Sequence, residues 1–62
     1  MKAKEMISLL KSHGWNHVRT TGSHYIMKHG QSGELISVPY HGNKDLKPGT
    51  LNAILKKAEI KT

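Results

Sequence analysis

Two stretches of the chain, one near each end, carry apolar residues at the spacing of a helix. The first stripe follows the order i, i+3, i+4 and i+7 and consists of Ala3, Met6, Ile7 and Leu10. The second stripe consists of Leu51, Ile54, Leu55 and Ala58. Because residues at this spacing share one helix face, we predict a helix over residues 3–13 that Gly14 ends. We predict a second helix from Pro48 to the end of the chain.

The segment between these helices has the pattern of strands. Its strand-length stretches are rich in β-branched and aromatic residues and read WNHVRT, SHYIMKH and ELISVP (residues 15–20, 23–29 and 34–39). The short connections TG and GQSG predict two hairpins. Neither helix has an apolar stripe wide enough to be buried on both sides, so both should cover one face of the sheet. The predicted fold is α+β, in the order α-β-β-β-α, with a three-stranded antiparallel sheet and one open sheet face.

A histidine, His24, lies at the start of the middle strand, where this residue type is unusual. Successive side chains of a strand point to opposite faces. If Tyr25 and Met27 point toward the helices, His24 and Lys28 share the open face, about 13 Å apart. Ile26 lies between them and is as apolar as the core candidates, so the pattern alone leaves this assignment open.

The length and composition limit the kind of site that the chain can build. With 62 residues, of which 35% are hydrophobic, we predict one domain over residues 1–62 with a thin core. A shallow surface site for a polymeric substrate fits such a core better than an enclosed pocket. The absence of cysteine excludes disulfides and thiolate metal sites. We expect neither a signal peptide nor a membrane span, and a cytoplasmic location.

The charge of the chain points to a polyanionic partner. Ten Lys and Arg residues against four Asp and Glu give a formal net charge of +6. Arg19 is the single arginine, and lysine binds phosphates as a point charge without reading base edges. We therefore expect contacts to a nucleic-acid backbone with little sequence preference. A charge excess that serves only solubility is the alternative.

Five histidines raise the question of a metal site, and their spacing argues against one. His13 and His17 have helical spacing, but Gly14 interrupts the helix between them. His24 and His29 are an odd number of residues apart, which places them on opposite faces of a strand. We predict neither a metal nor another cofactor.

Three segments, GSHYIMKH, VPYHGNKDLKPGTL and AILKKAEI, make the chain resemble the HicA family of toxins from bacterial and archaeal toxin–antitoxin pairs. The most specific matching residues are Gly22, Ser23, His24, Pro39, His41, Gly42, Asn43, Lys44 through Gly49, Thr50 and Leu51. Position 25 carries tyrosine where a second histidine is often found. The resemblance implies a fold like the double-stranded-RNA-binding domain and cleavage of mRNA that needs His24. It also implies a cognate HicB-like antitoxin that covers the toxin, and we expect the toxin alone to be monomeric.

Metal-independent RNA cleavage requires a base for the 2′-hydroxyl proton and cations for the charge that develops on the phosphate. His24 is the candidate base, because imidazole changes charge near neutral pH. His41, at a strand-to-loop junction, is the candidate acid, and a structural role in the His-Gly-Asn turn is the alternative. Gly22 would let a phosphate approach the backbone, and Ser23 could donate a hydrogen bond to it or fix the imidazole. The candidate RNA-binding cations, chosen by charge alone, are Arg19, Lys28, Lys44 and Lys47.

Two other functions fit the same residues. A non-catalytic module could hold double-stranded RNA through its lysines, with His24 as an ordinary strand residue. Alternatively, the basic surface could serve mainly to dock an acidic protein. Substitution of His24 separates catalysis from binding, and the salt dependence of RNA affinity separates RNA binding from protein docking.

Overall fold

A computed structural model describes residues 1–42 and 44–60 and has the predicted α-β-β-β-α order. Its elements are α1 (Ala3–Ser12), β1 (Trp15–Thr21), β2 (His24–His29), β3 (Leu35–Pro39) and α2 (Pro48–Lys57). The strands form one antiparallel sheet in the order β1-β2-β3, which confirms both predicted hairpins. The predictions for Asn43 and for Lys61 and Thr62 fall outside the described residues. Neither α1 nor α2 is long and apolar enough to cross a membrane.

Both helices pack on the same face of the sheet, as their one-sided apolar stripes predict. α1 contacts β1 and β3, and α2 contacts β3. One cluster of buried apolar side chains joins the two layers, and it consists of Ala3, Met6, Ile7, Leu10, Trp15, Met27, Ile36, Val38, Ile54 and Ile60. The opposite face of the sheet carries no helix in the described parts of the chain, so side chains on it meet solvent.

The ends of α1 are fixed by specific backbone contacts. At its start the Lys2 N–H donates to Glu5 Oε1 at 2.9 Å, which satisfies an amide just before the first turn. At its end Gly14 has φ +91°, a conformation that other residues rarely adopt. The Gly14 carbonyl then accepts from the Gly30 N–H at 3.1 Å, and a Cβ at this position would lie 3.1 Å from His29 Nε2. Glycine is therefore favoured here by its conformation, and any Cβ would also require the His29 ring to shift.

The second helix ends earlier than its apolar stripe predicts. α2 stops at Lys57 and does not continue to the end of the chain. Glu59 has φ 57°, its N–H donates to the Lys56 carbonyl at 3.1 Å, and the Ile60 N–H donates to the Leu55 carbonyl at 3.0 Å. These two bonds form a Schellman motif, in which a left-handed residue turns the chain out of the helix. Burial of Ile60 in the core fixes this turn, although glutamate is an unusual residue for it.

We expect Glu59→Gly to stabilise the fold by about 0.5–1 kcal/mol. The left-handed conformation costs a residue with a Cβ about 1–2 kcal/mol, and the greater freedom of glycine in the unfolded chain offsets part of the gain. Urea unfolding of both proteins measures the difference. The matched control, Lys56→Gly in the last turn of α2, should instead destabilise by about 1 kcal/mol. A less stable Glu59→Gly variant would contradict this account of the turn.

Candidate active site

The register of the sheet places His24 on the open face. Tyr25 and Met27 pair with Val38 and Ile36, and these two β3 residues are buried in the core. The alternation of side chains along β2 therefore directs His24 away from the helices. His24 is exposed, so a polymer can reach its ring from solvent. The predicted facing of Tyr25 and Met27 is confirmed.

A β-bulge in β1 determines which face receives the arginine. His17 pairs with Met27 and Arg19 pairs with Ile26, so Val18 is an extra residue without a partner on β2. Uninterrupted alternation would place Arg19 on the same face as His17, toward the helices. The bulge reverses this and places Arg19 on the open face, beside Ile26. Sequence reasoning missed the bulge, because nothing in the residues 17 to 19 distinguishes them from a regular strand.

The cationic side chains of the sheet lie at different distances from the candidate base, His24. Thr21 pairs directly with His24, and Arg19 lies one row further along the same face. Such diagonal neighbours are about 7–8 Å apart, within the reach of a long side chain. Lys28 is on the same face but two rows away, about 13 Å along the strand. Arg19 is thus the sheet cation closest to His24.

The hairpin turn before β2 holds His24 at the end of the sheet. Thr21 pairs with His24, so the loop contains only Gly22 and Ser23. Gly22 has φ +58°, whereas Ser23 does not have a positive φ, which is the pattern of a type II′ hairpin turn. The Tyr40 N–H donates to the Ser23 carbonyl at 2.6 Å and ties the turn to the end of β3. A Cβ at Gly22 would meet no atom within 4 Å, so the space outside this glycine is open.

A surface depression next to His24 gathers most of the remaining candidate residues. Its lining consists of Pro39, His41, Lys44, Asp45, Leu46, Lys47 and Thr50. Pro39 pairs with His24 across the sheet, so one residue of the lining is a direct neighbour of the candidate base, although His24 is not itself part of the lining. Lys47 is the residue at the start of α2, and both it and His41 are exposed. The structure thus brings His41, Lys44 and Lys47 to the end of the sheet that carries His24.

The arrangement suits acid–base chemistry on a phosphate in an open setting. It offers two exposed imidazoles, a glycine backbone without a covering side chain, Arg19 on the open face, and Lys44 and Lys47 in the depression. Within residues 1–42 and 44–60, no three His, Cys, Asp or Glu side chains are placed to hold a metal ion.

Sequence reasoning also missed a row of rings formed by His17, Tyr25 and Tyr40. Only the register of the strands brings these three residues together.

Comparison with protein families identifies a match over most of the chain. A family model described as the HicA toxin of bacterial toxin–antitoxin systems matches residues 3–60, which span both helices and the whole sheet. No curated protein matches the chain. The matched range includes every candidate site residue described above.

We expect Gly22→Ala to destabilise the fold by about 1 kcal/mol or more, because alanine resists the positive φ at this position. The same substitution made with D-alanine, by chemical synthesis of the chain, should retain full stability, since a D-residue favours positive φ. Thermal unfolding measures both, and the NMR shifts of the His24 ring report its placement. Equal stability of the two alanine variants would contradict the assigned turn.

Proposed function

The chain belongs to the HicA toxin family, and from that premise we propose that it is a metal-independent endoribonuclease that cleaves mRNA. As a family member it is a toxin of a toxin–antitoxin system. We further propose that residues 1–62 act as one domain and that His24 is the catalytic base. The observation that carries the proposal is the exposure of His24 on the open sheet face, beside Arg19 and the lysine-lined depression.

The proposed reaction is an attack within the RNA strand. The neutral His24 ring takes the proton of a ribose 2′-hydroxyl, and the 2′-oxygen forms a bond to the adjacent phosphorus. The bond from phosphorus to the 5′-oxygen of the next nucleotide breaks. The products are a 2′,3′-cyclic phosphate and a 5′-hydroxyl end, the latter protonated by an acid. A base of this kind typically supplies about 10²- to 10⁴-fold, and positioning and charge stabilisation must supply the rest.

Charge stabilisation falls to the cations nearest to His24. We propose that Arg19 binds the scissile phosphate, because it is the sheet cation closest to the base. Lys44 and Lys47, in the adjoining depression, bind phosphates further along the strand. Lys28, two rows away on the same face, extends the basic track in the other direction. The uncovered backbone of Gly22 lets the phosphate come close, and the Ser23 hydroxyl can donate to it.

His41 is the proposed acid that protonates the leaving 5′-oxygen. It is exposed and lines the depression together with Pro39, the residue opposite His24. A base on one side of a phosphate and an acid on the other is the arrangement that in-line displacement requires. The backbone of His41 also has a structural role, because its carbonyl accepts from the Lys44 N–H at 3.3 Å. That bond involves no ring atom and leaves the imidazole available.

We propose that the antitoxin partner is a HicB-like protein that covers the open face. A partner of opposite charge would neutralise the cations around His24 and prevent RNA from reaching the ring. The alternative function is a module that binds double-stranded RNA without cleaving it. The lysines beside the start of α2 favour this alternative, since helix N-termini and lysines commonly bind phosphates.

We expect His24→Ala to abolish RNA cleavage and growth arrest and to leave folding and most of the RNA affinity unchanged. Cleavage by the wild-type protein should persist in a buffer with chelator, and its products should carry 2′,3′-cyclic phosphate ends. Gel analysis of a labelled RNA measures cleavage, and circular dichroism measures folding. The matched control is His13→Ala, an exposed histidine at the end of α1 whose ring contacts the Leu9 carbonyl. It should cleave like the wild type.

Two results would contradict the proposal. Wild-type protein that leaves RNA intact in the presence of chelator would reject a metal-independent nuclease. A His24→Ala variant that cleaves at the wild-type rate would reject His24 as the base. If RNA is bound but never cut, the binding-module alternative is correct.

We expect the logarithm of RNA affinity to fall linearly with the logarithm of salt concentration, by about 0.7 per phosphate contact on a single strand. Arg19→Ala should reduce this slope by about one contact, because it removes a cation on the open face. Lys11→Ala, an exposed cation on α1 on the other side of the sheet, is the matched control and should leave the slope unchanged. A flat salt response of the wild type would instead favour a surface that docks protein.

A further inference from the structure

Three aromatic rings lie in contact in a row across the sheet on the side of the helices. The centroids of the His17 and Tyr25 rings are 4.9 Å apart with an angle of 39° between the planes. The centroids of Tyr25 and Tyr40 are 4.8 Å apart, and their planes differ by only 20°. His17 Nε2 lies 2.8 Å from Thr20 Oγ1, and this hydrogen bond fixes the ring at the end of the row. The row therefore has a defined orientation.

The outer end of this row is open to solvent. β1 is an edge strand, so no strand lies beyond His17 in the described parts of the chain, and the side chain is exposed. The His17 ring contacts Tyr25 of the middle strand, and its side chain is exposed at the edge of the sheet. Tyr25 and Tyr40 are half-buried against the core and hold the row in place. The packing of the core thus supports an exposed aromatic ring in a fixed position.

We propose that the exposed ring of His17, supported by Tyr25 and Tyr40, is a stacking platform for an unpaired RNA base. Stacking on an aromatic ring is open to any base, which fits a surface that contacts RNA through phosphates. In a duplex each base is already stacked on its neighbours, whereas the bases of a single strand can be splayed out onto a ring. The platform would therefore direct the protein to unpaired RNA. This inference rests on the proposed function and specifies its substrate.

The platform lies beside the candidate base through Tyr25, whereas His17 pairs with Met27, three residues beyond His24 in β2. Tyr25 follows His24 directly in β2, and the two side chains point to opposite faces. Their partners on the edge strand are Thr20 and Thr21, which are both exposed. A single strand that crosses this edge can place one nucleotide at His24 and the base of a nearby nucleotide on His17. A stiff duplex cannot follow so sharp a turn.

The test measures binding separately from cleavage. The probe is a 2′-O-methyl RNA, which has no free 2′-hydroxyl to attack, with one fluorescent 2-aminopurine base, used as a single strand and as a duplex. We expect the wild-type protein to quench the single-stranded probe. We expect His17→Leu to bind the single strand at least about fivefold more weakly, the lower end of the range for one stacked base. Affinity for the duplex should be unchanged.

The matched variant His17→Phe keeps a ring face and should retain both quenching and affinity. Thermal unfolding of each variant verifies that the exposed substitution leaves the fold intact. Single-strand affinity of His17→Leu equal to that of the wild type would overturn the platform. Equal losses in His17→Leu and His17→Phe would overturn it as well, since the loss would then follow the imidazole and not the ring face.

The outcome for the platform is distinguishable from the outcome for the nuclease. If unmodified RNA is cleaved but His17→Leu binds normally, the platform is wrong and the nuclease stands. If quenching depends on His17 but no RNA is ever cleaved, the nuclease is wrong and the platform stands. A wild-type protein that binds neither probe would overturn the platform, and cleavage of unmodified RNA would then decide the nuclease by itself.

Discussion

The side chains of β2 alternate between the sheet face that the helices cover and the open face, and the rest of the molecule depends on this constraint. Met27 is fully buried under the helices, whereas His24 and Lys28 of the same strand are exposed on the open face. A shift of one residue in the pairing would move every side chain of β2 to the opposite face. It would bury the Lys28 ammonium in an apolar core without a partner, which is strongly unfavourable. The packing that stabilises the fold therefore also directs the imidazole into solvent.

Two local departures from regular structure adjust the surface around that imidazole. The positive φ of Gly22 closes the hairpin in two residues and places His24 directly at the end of the sheet. The extra residue Val18 turns Arg19 from the helix side to the open side, where it becomes a diagonal neighbour of His24. Bulges and tight turns often re-aim side chains next to functional sites. Both departures lie in edge positions, where they leave the core pairs of β2 and β3 undisturbed.

The sequence was sufficient for the parts of the fold that rest on periodicity. The helical stripe of α1 predicted the layers. The position of Tyr25 and Met27 on alternate residues of β2 predicted the exposure of His24, because burial selects for such patterns. The bulge could not be predicted, since Val18 is an ordinary strand residue. The early end of α2 could not be predicted either, because Glu59 is a good helix former that tertiary packing forces into a left-handed turn.

The same limit applies to the candidate site. The sequence shows which types of residue are present, but it does not show the distances between them. Charge alone made Arg19 and Lys28 equal candidates, and only the register shows that Arg19 is the nearer one. The row of His17, Tyr25 and Tyr40 has no signature in the sequence, since its members are separated along the chain and meet only through pairing of the three strands.

The excess of positive charge connects stability with binding. Ten Lys and Arg against four Asp and Glu on 62 residues leave most cations without an acidic partner, and their mutual repulsion opposes the compact state. A core of nine small-to-medium apolar side chains and one tryptophan provides little reserve against this repulsion. Any polyanion or acidic protein that binds the folded chain relieves the repulsion and stabilises the fold by mass action. RNA and an antitoxin on the open face would both neutralise the cations around His24, so binding of one must weaken binding of the other.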